Sequence, residues 1–320
     1  MKKTNPTVSY DPAKPYKHEL LRLIESTWQT PYVSVKSGVY PVIRKKFKGF
    51  EIQHADGIGT KGVYHWKKKS FKCAVIDAFA MNANDLAMAG ATPYAAVDHI
   101  TTSDMGDTTV LALVRALAEL CKKHHVALVG GETSHQDTLE GLDVSIIMSG
   151  FLKKSRANRF RVGDALIGLK SSGLHSNGFT KVRQMFGKGE WRDDFTRPTA
   201  IYLPTILALL AKYEIHGMMH ITGGAFTKLH DLLHGADAII VAPRSLAPQP
   251  IFHELHKRGV SDQAMYTTFN CGIGFILSAL PRDATRIVAS VPRSAIIGRV
   301  EKGSGLVRIE SAFTGKTLVL

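Results

Sequence analysis

Four polar, glycine-bearing loops and one carboxylate-bearing helix hold the residue types in this chain that could do chemistry. In Asp56-Gly57-Ile58-Gly59-Thr60-Lys61-Gly62 a carboxylate can take a hard cation. The glycines let backbone N–H groups approach a phosphate, and Lys61 adds a point charge. The segment lacks the G-x-x-x-x-G-K-[ST] pattern of a P-loop, and the same residues would also make a plain turn. On the helix expected over residues 72–89, Asp77, Asn84 and Asp85 fall within roughly a quarter-turn of one another. Carboxylates among so many alanines and methionines need a cation or a hydrogen-bond network. Gly130-Gly131-Glu132-Thr133 supplies a further carboxylate, suited to a metal or a ribose. Ser171-Ser172-Gly173-Leu174-His175-Ser176-Asn177-Gly178 leads into a helix whose first N–H groups, helped by serine hydroxyls, suit a phosphate or make an ordinary cap. His220-Ile221-Thr222-Gly223-Gly224 repeats that design.

Alternating strands and helices must position these segments. Residues 1–17, with three prolines, read as an extended arm, followed by a helix over 18–28. A strand over 50–54 feeds the first loop. After the 72–89 helix, ended by Gly90, come a buried strand at 95–100 and a helix at 107–124 with Asp107 as its N-cap. Strands at 126–129 and 143–152 follow. The second half repeats the alternation, with strands at 165–170, 218–221 and 237–242 and helices at 179–186, 199–212 and 225–234. The pattern predicts a mixed α/β (α+β type) fold. A basic, polar stretch at 153–163 interrupts the apolar periodicity, and it divides the chain into domains of residues 1–155 and 156–320.

Composition narrows the function classes. With 44% hydrophobic and 21% charged residues the chain is globular in type. The first residues carry two lysines without an apolar run behind them, so no secretory signal is expected, and no segment is apolar for long enough to span a membrane. Cys73, Cys121 and Cys271 are scattered and odd in number, which argues against a disulfide framework or a zinc site. A cytoplasmic enzyme is the expectation. The net charge of +14 raises the question of nucleic acid, but the basic runs lack interleaved aromatics for base stacking. They read as solvated edges, or as a field that steers a small phosphorylated substrate.

Taken in order, D-G-I-G-T-K, N-D-L-A-M-A-G-A-T-P, G-G-E-T, S-S-G-L-H-S-N-G, H-I-T-G-G and M-Y-T-T-F-N-C-G-I-G resemble the phosphoribosylformylglycinamidine cyclo-ligase family over residues 9–300. The resemblance implies a two-domain subunit whose N-terminal domains pair across a homodimer into a β-barrel, with ATP near that interface. It implies ATP-dependent closure of formylglycinamidine ribonucleotide to aminoimidazole ribonucleotide, with ADP and phosphate released. It places Mg²⁺ on Asp56 and Asp85 with Asp77 and Glu132 in support, and nucleotide at Asp56, Gly57, Gly59, Thr60, Lys61, Asn84, Asp85, Gly131 and Glu132. Asp85, His175 and Lys61 are the implied catalytic residues. Ser171, Ser172, Gly173, His175, Asn177, Thr222, Gly223 and Gly224 are the implied substrate contacts. The chain departs from the family in having Ser37-Gly38-Val39-Tyr40 and the basic run Arg44–Lys48 where a glycine-rich segment is usual. A related ATP-dependent kinase or synthase, or a silent nucleotide- or RNA-binding paralogue, are the alternative readings.

Overall fold

The structure, a computed structural model, describes residues 16–320 apart from Val39, Asp104, Met105, Lys188 and Ala242. The expected N-terminal arm therefore lies, up to residue 15, outside the described residues. Tyr16 and Lys17 belong instead to the first helix. Two compact units result, one of the chain up to Leu86 with Ala91–Ser155, the other of Ala87–Gly90 with Arg156–Leu320. The mixed α/β class holds for both.

The first unit contains α1 (Tyr16–Glu25), β1 (Val33–Lys36), β2 (Val42–Lys45), β3 (Phe50–Gly57), α2 (Gly62–Lys68), α3 (Phe71–Met88), β4 (Thr92–Thr102), α4 (Asp107–Lys123), β5 (Ala127–His135) and β6 (Leu142–Leu152). β1 and β2 form a hairpin, and the other four strands form a sheet in the order β3-β6-β4-β5. β6 is antiparallel to both β3 and β4, whereas β4 and β5 run parallel through the α4 crossover. Strand periodicity sets the two faces. Along β3, Glu51, Gln53 and Ala55 are exposed, while His54 and Asp56 turn toward the side of α3.

Three local expectations change. The Gly130-Gly131-Glu132-Thr133 segment is not a loop but the middle of β5, held in register with β4. The short α2 lies between the Asp56 loop and α3, where periodicity over seven residues is too short to be read. Gly106, not Asp107, occupies the N-cap position of α4.

The second unit contains β7 (Ala165–Lys170), α5 (Phe179–Phe186), α6 (Leu203–Leu210), β8 (Ile215–His220), β9 (Ala236–Val241), α7 (Pro250–Lys257), α8 (Asp262–Thr268), β10 (Ile273–Ala279), α9 (Pro281–Ser290), β11 (Ser294–Lys302), β12 (Val307–Glu310) and β13 (Thr317–Val319). Seven strands form one sheet in the order β13-β12-β9-β11-β7-β10-β8. α6 starts later than expected because Pro204 is confined to the first turn of a helix. The segment expected as a helix over 225–234 forms 3-10 turns over Ala225–Leu232, entered through Gly224 at φ 78°.

Candidate functional site

In the first unit the end of β3 and the end of α3 meet. Asp85 Oδ2 lies 3.2 Å from His54 Nε2, and the other ring nitrogen of His54 lies 3.0 Å from Asn82 Oδ1. Asn82 in turn donates to the Asp56 carbonyl at 3.1 Å, tying helix to strand. The Gly57 N–H donates to Asp56 Oδ1 at 2.7 Å, as expected of a carboxylate at a strand-to-turn junction. The hydrogen bond with Asp85 holds the His54 pKa above its ordinary value against the opposing effect of burial. Asp56 and Asp85 are thereby gathered on one side of the sheet, with Asn84 buried beside them on α3.

Lys61 and Asp77 are placed differently from their expected phosphate and metal roles. Lys61 is 0% exposed, and its ammonium sits 2.9 and 2.8 Å from the two Asp77 oxygens. His65 Nε2 adds a contact of 2.8 Å to Asp77 Oδ2, and His65 Nδ1 lies 2.8 Å from Ser70 Oγ. The reason is desolvation: an ammonium and a carboxylate enclosed among apolar side chains find each other before they find a ligand. Asp77 is held down at about 2 by Lys61 and His65 although burial alone would raise it. Burial lowers the pKa of both Lys61 and His65.

Glu132 and Gly131 are also separated from Asp56 and Asp85. β3 and β5 are opposite edges of the sheet with β6 and β4 between them. At about 4.8 Å per strand spacing, the edges stand roughly 14 Å apart. Among the described residues no group of three or more His, Cys, Asp or Glu side chains is placed to hold a metal. Two carboxylates still fit Mg²⁺, which is commonly held by one or two carboxylates together with substrate phosphates.

In the second unit the Ser171–Gly178 loop is locked from several sides. Ser171 receives hydrogen bonds from Gln249 Nε2 at its carbonyl and hydroxyl, at 2.7 and 3.1 Å. The Ser172 hydroxyl donates to the Pro198 carbonyl at 2.6 Å, and Asn270 donates to the Gly173 carbonyl at 2.8 Å. His175 is fully buried, with its Nε2 accepting the Ser172 N–H at 3.2 Å. A Cβ at Gly274 would come within 2.6 Å of the His175 ring, so the glycine of the C-G-I-G segment makes room for it. His175 therefore shapes the loop from inside, and both serine hydroxyls are already engaged. Asn177 reaches outward to the Thr222-Gly223-Gly224 turn, its Nδ2 3.4 Å from where a Gly223 Cβ would stand. Its Oδ1 is buried without a hydrogen-bond partner among the described residues. Lys228 Nζ donates to Thr222 Oγ1 at 3.0 Å and brings a cation to the same turn.

Sequence reasoning missed His54, Asn82, Asp98 and Lys228. His54 shares a strand face with Asp56 at i, i+2, and Asn82 precedes Asp85 by one helical turn, so both were legible from spacing. Asp98 was the lone acid in a strand of apolar residues. Lys228 had no signal apart from the tertiary turn that carries it.

The chain matches the family description "AIR synthase related protein, N-terminal domain" over residues 45–152 and "AIR synthase related protein, C-terminal domain" over residues 161–310. It is 31% identical over 309 residues to a phosphoribosylformylglycinamidine cyclo-ligase of Saccharolobus solfataricus, covering 93% of each chain. In fold it is similar to a thiamine-monophosphate kinase from Stenotrophomonas maltophilia (TM-score 0.64, 19% identity, 91% and 95% of the two chains covered). It is also similar in fold to hydrogenase maturation protein HypE in complex with ATP (TM-score 0.61, 17% identity, 99% and 97% covered).

Proposed function

The chain belongs to the family of phosphoribosylformylglycinamidine cyclo-ligases, and from that premise we propose how its own residues serve the ATP-dependent closure of formylglycinamidine ribonucleotide to aminoimidazole ribonucleotide. The formyl oxygen is a poor leaving group until the γ-phosphoryl of ATP is transferred to it. A substrate nitrogen then attacks the formyl carbon, the new C–N bond closes the ring, and the C–O bond breaks with its electron pair leaving on phosphate. The protein's share is alignment and charge neutralisation.

Asp56 and Asp85 are the residues that would hold Mg²⁺, steadied by His54 and Asn82. Bound there, the ion supplies charge neutralisation for the ATP phosphates. Gly57, Gly59 and Thr60 offer the adjoining backbone, while Lys61 supports that turn from inside through Asp77. Asn177, Thr222, Gly223, Gly224 and Lys228 receive the substrate in the second unit, Lys228 facing its phosphate as a point charge. Ser171, Ser172, Gly173 and His175 hold the shape of that loop.

Cytoplasmic location and a homodimer belong to the same proposal. Ala55, Ile147 and Val97 stand side by side on the face of the sheet opposite His54 and Asp56, with Ile147 47% exposed, and pairing two such faces covers them. Light scattering should give twice 35.0 kDa. A fully active monomer contradicts this arrangement.

The observation that carries the reading is the meeting of Asp56 and Asp85 through His54 and Asn82. Its test is ADP release with and without formylglycinamidine ribonucleotide. The Asp85→Asn variant is expected to fold and to lose about a hundredfold or more in substrate-dependent ADP release. Normal Mg²⁺ dependence in that variant removes Asp85 from the site.

A further inference from the structure

Where α2, α3 and α4 come together, the first unit presents a basic surface with two aromatic rings set into it. Lys67, Lys68, Lys69 and Lys72 are exposed, and Trp66 and Phe71, which flank the Lys67–Lys69 run, are half-buried. The turn at Lys69 (φ 54°) brings the two rings to 6.0 Å between centroids. The Lys69 ammonium lies 3.8 Å from the Trp66 centroid and 5.8 Å from that of Phe71. Lys72 Nζ stands 3.7 Å from Glu119 Oε2, which sets the last turn of α4, with the exposed Lys122 and Lys123, against the start of α3. Beside Trp66 is a cleft of about 250 Å³ walled by Val63 and Leu139, with Lys67 and Glu140 also lining it. Glu119 and Glu140 temper the charge of this surface without cancelling that of the six lysines. Along the chain the lysines are a plain run, and the turn after α2 is what folds the rings in among them.

We propose that this surface binds single-stranded nucleic acid, with the lysines along its phosphates and a base stacked on Trp66. Charge alone suits any polyanion, and the net charge of +14 draws one in over a distance. The rings narrow the choice. A single strand can splay a base onto an indole, and every base offers a π-face, whereas a duplex keeps its bases stacked on one another. Lys69 does not block this. An exposed ammonium over a ring contributes about two- to fivefold to an equilibrium, whereas a base stacked on an aromatic ring contributes about five- to a hundredfold. The base therefore displaces the ammonium, whose flexible stem lets it turn to the adjoining phosphate. A phospholipid or an acidic protein would satisfy the lysines and leave the Trp66 face as it is. The surface shares no residue with the Asp56 and Asp85 site, so the proposal stands apart from the cyclo-ligase reading.

Fluorescence anisotropy on the full chain, with a labelled single strand of about twelve nucleotides as RNA and as DNA, tests this over a series of salt concentrations. A duplex of the same length and phosphatidylserine vesicles are the comparisons. The single strand is expected to bind about tenfold or more tightly than the duplex and to quench tryptophan fluorescence. Changing Lys67, Lys68 and Lys69 together to Gln should flatten the slope of log K against log salt by about 2. Trp66→Leu should weaken binding about tenfold and remove the quenching while leaving the salt slope in place. The lysine variant alters exposed side chains alone, and it serves if Trp66→Leu does not fold. RNA and DNA bound alike support a surface that reads phosphates and bases but not the sugar, and a preference between them names the source. No binding at low salt overturns the proposal, and so does a salt slope unmoved by loss of the three lysines. Duplex or vesicles bound as tightly as the single strand, without quenching, also overturn it by making the surface a general anion patch.

Discussion

Asp77 and Asp98 are both buried in the first unit, yet their surroundings drive them in opposite directions. Asp77 is enclosed with Lys61 and His65 and held at about 2, whereas Asp98 has an acid for a neighbour and is pushed to about 7. Desolvation acts on both. What separates them is the neighbourhood: Lys61 and His65 stand at hydrogen-bond distance from Asp77, whereas Glu132 adds to the effect of burial on Asp98. The first is a closed contact that joins the Gly59–Lys61 turn to α3, and the second lines a cavity together with Glu132 and Lys17. A buried carboxyl is therefore held ionised where cationic groups are built in against it, and driven toward its neutral form where another acid is its neighbour.

The comparison breaks most visibly at Asp77. Asp77→Ala removes the carboxylate that faces the buried Lys61 ammonium and should cost about 3–5 kcal/mol in denaturant unfolding. The double variant Lys61→Met, Asp77→Leu should recover much of that loss and keep the parent's ATP KM. A stable double variant with a greatly raised ATP KM would return Lys61 to the phosphate role. Asp237 extends the series to a carboxylate satisfied mainly by backbone, since its Oδ1 accepts the N–H groups of Ser304, Gly305 and Leu306 at 2.8–3.0 Å while Arg308 stands 3.5 Å from Oδ2. Asp237→Asn should cost about 1–3 kcal/mol by thermal denaturation.

Asp98 should behave with the opposite sign. Its carboxyl is raised from an ordinary 3.8 to about 7, so the stability it contributes is fully present below about pH 3.8 and is lost as pH rises through about 7. Replacing it by Asn should therefore raise stability at pH 7.5, by about 1 kcal/mol, and flatten the difference from the parent seen between pH 4 and 7. Stability lowered at pH 7.5 would mean that the fold already supplies a partner. The smallest effect is expected from the basic run. Lys45 pairs with Glu51 on the surface and Lys46 Nζ donates to the Thr30 carbonyl at 3.2 Å. The triple change of Lys45, Lys46 and Lys48 to Ala should leave the ATP KM unchanged at every ionic strength. A lost salt dependence would instead give this run a share in phosphate binding.

The sequence by itself determined the mixed α/β class, the long α3 and α4, and the family motifs, and the resemblance those motifs carry is what singled out Asp56 with Asp85. These follow from local patterns: helical spacing puts Asn84 and Asp85 near each other, and strand alternation puts His54 with Asp56. Tertiary structure alone decided which charges are paired with one another inside the protein. Lys61 and Asp77 lie sixteen positions apart, and only the insertion of α2 between them turns one against the other inside the unit. The family resemblance implies Glu132 as a supporting companion of Asp85. The strand order β3-β6-β4-β5 separates them, and the parallel pair sets Glu132 beside His99 and Gly131 beside Asp98. His175 looked like a contact residue, but Gly274, ninety-nine positions away, makes room for it in the interior. Local periodicity carries the direction of a side chain relative to its own element, whereas its counter-ion and its access to solvent come from elements far off in the chain.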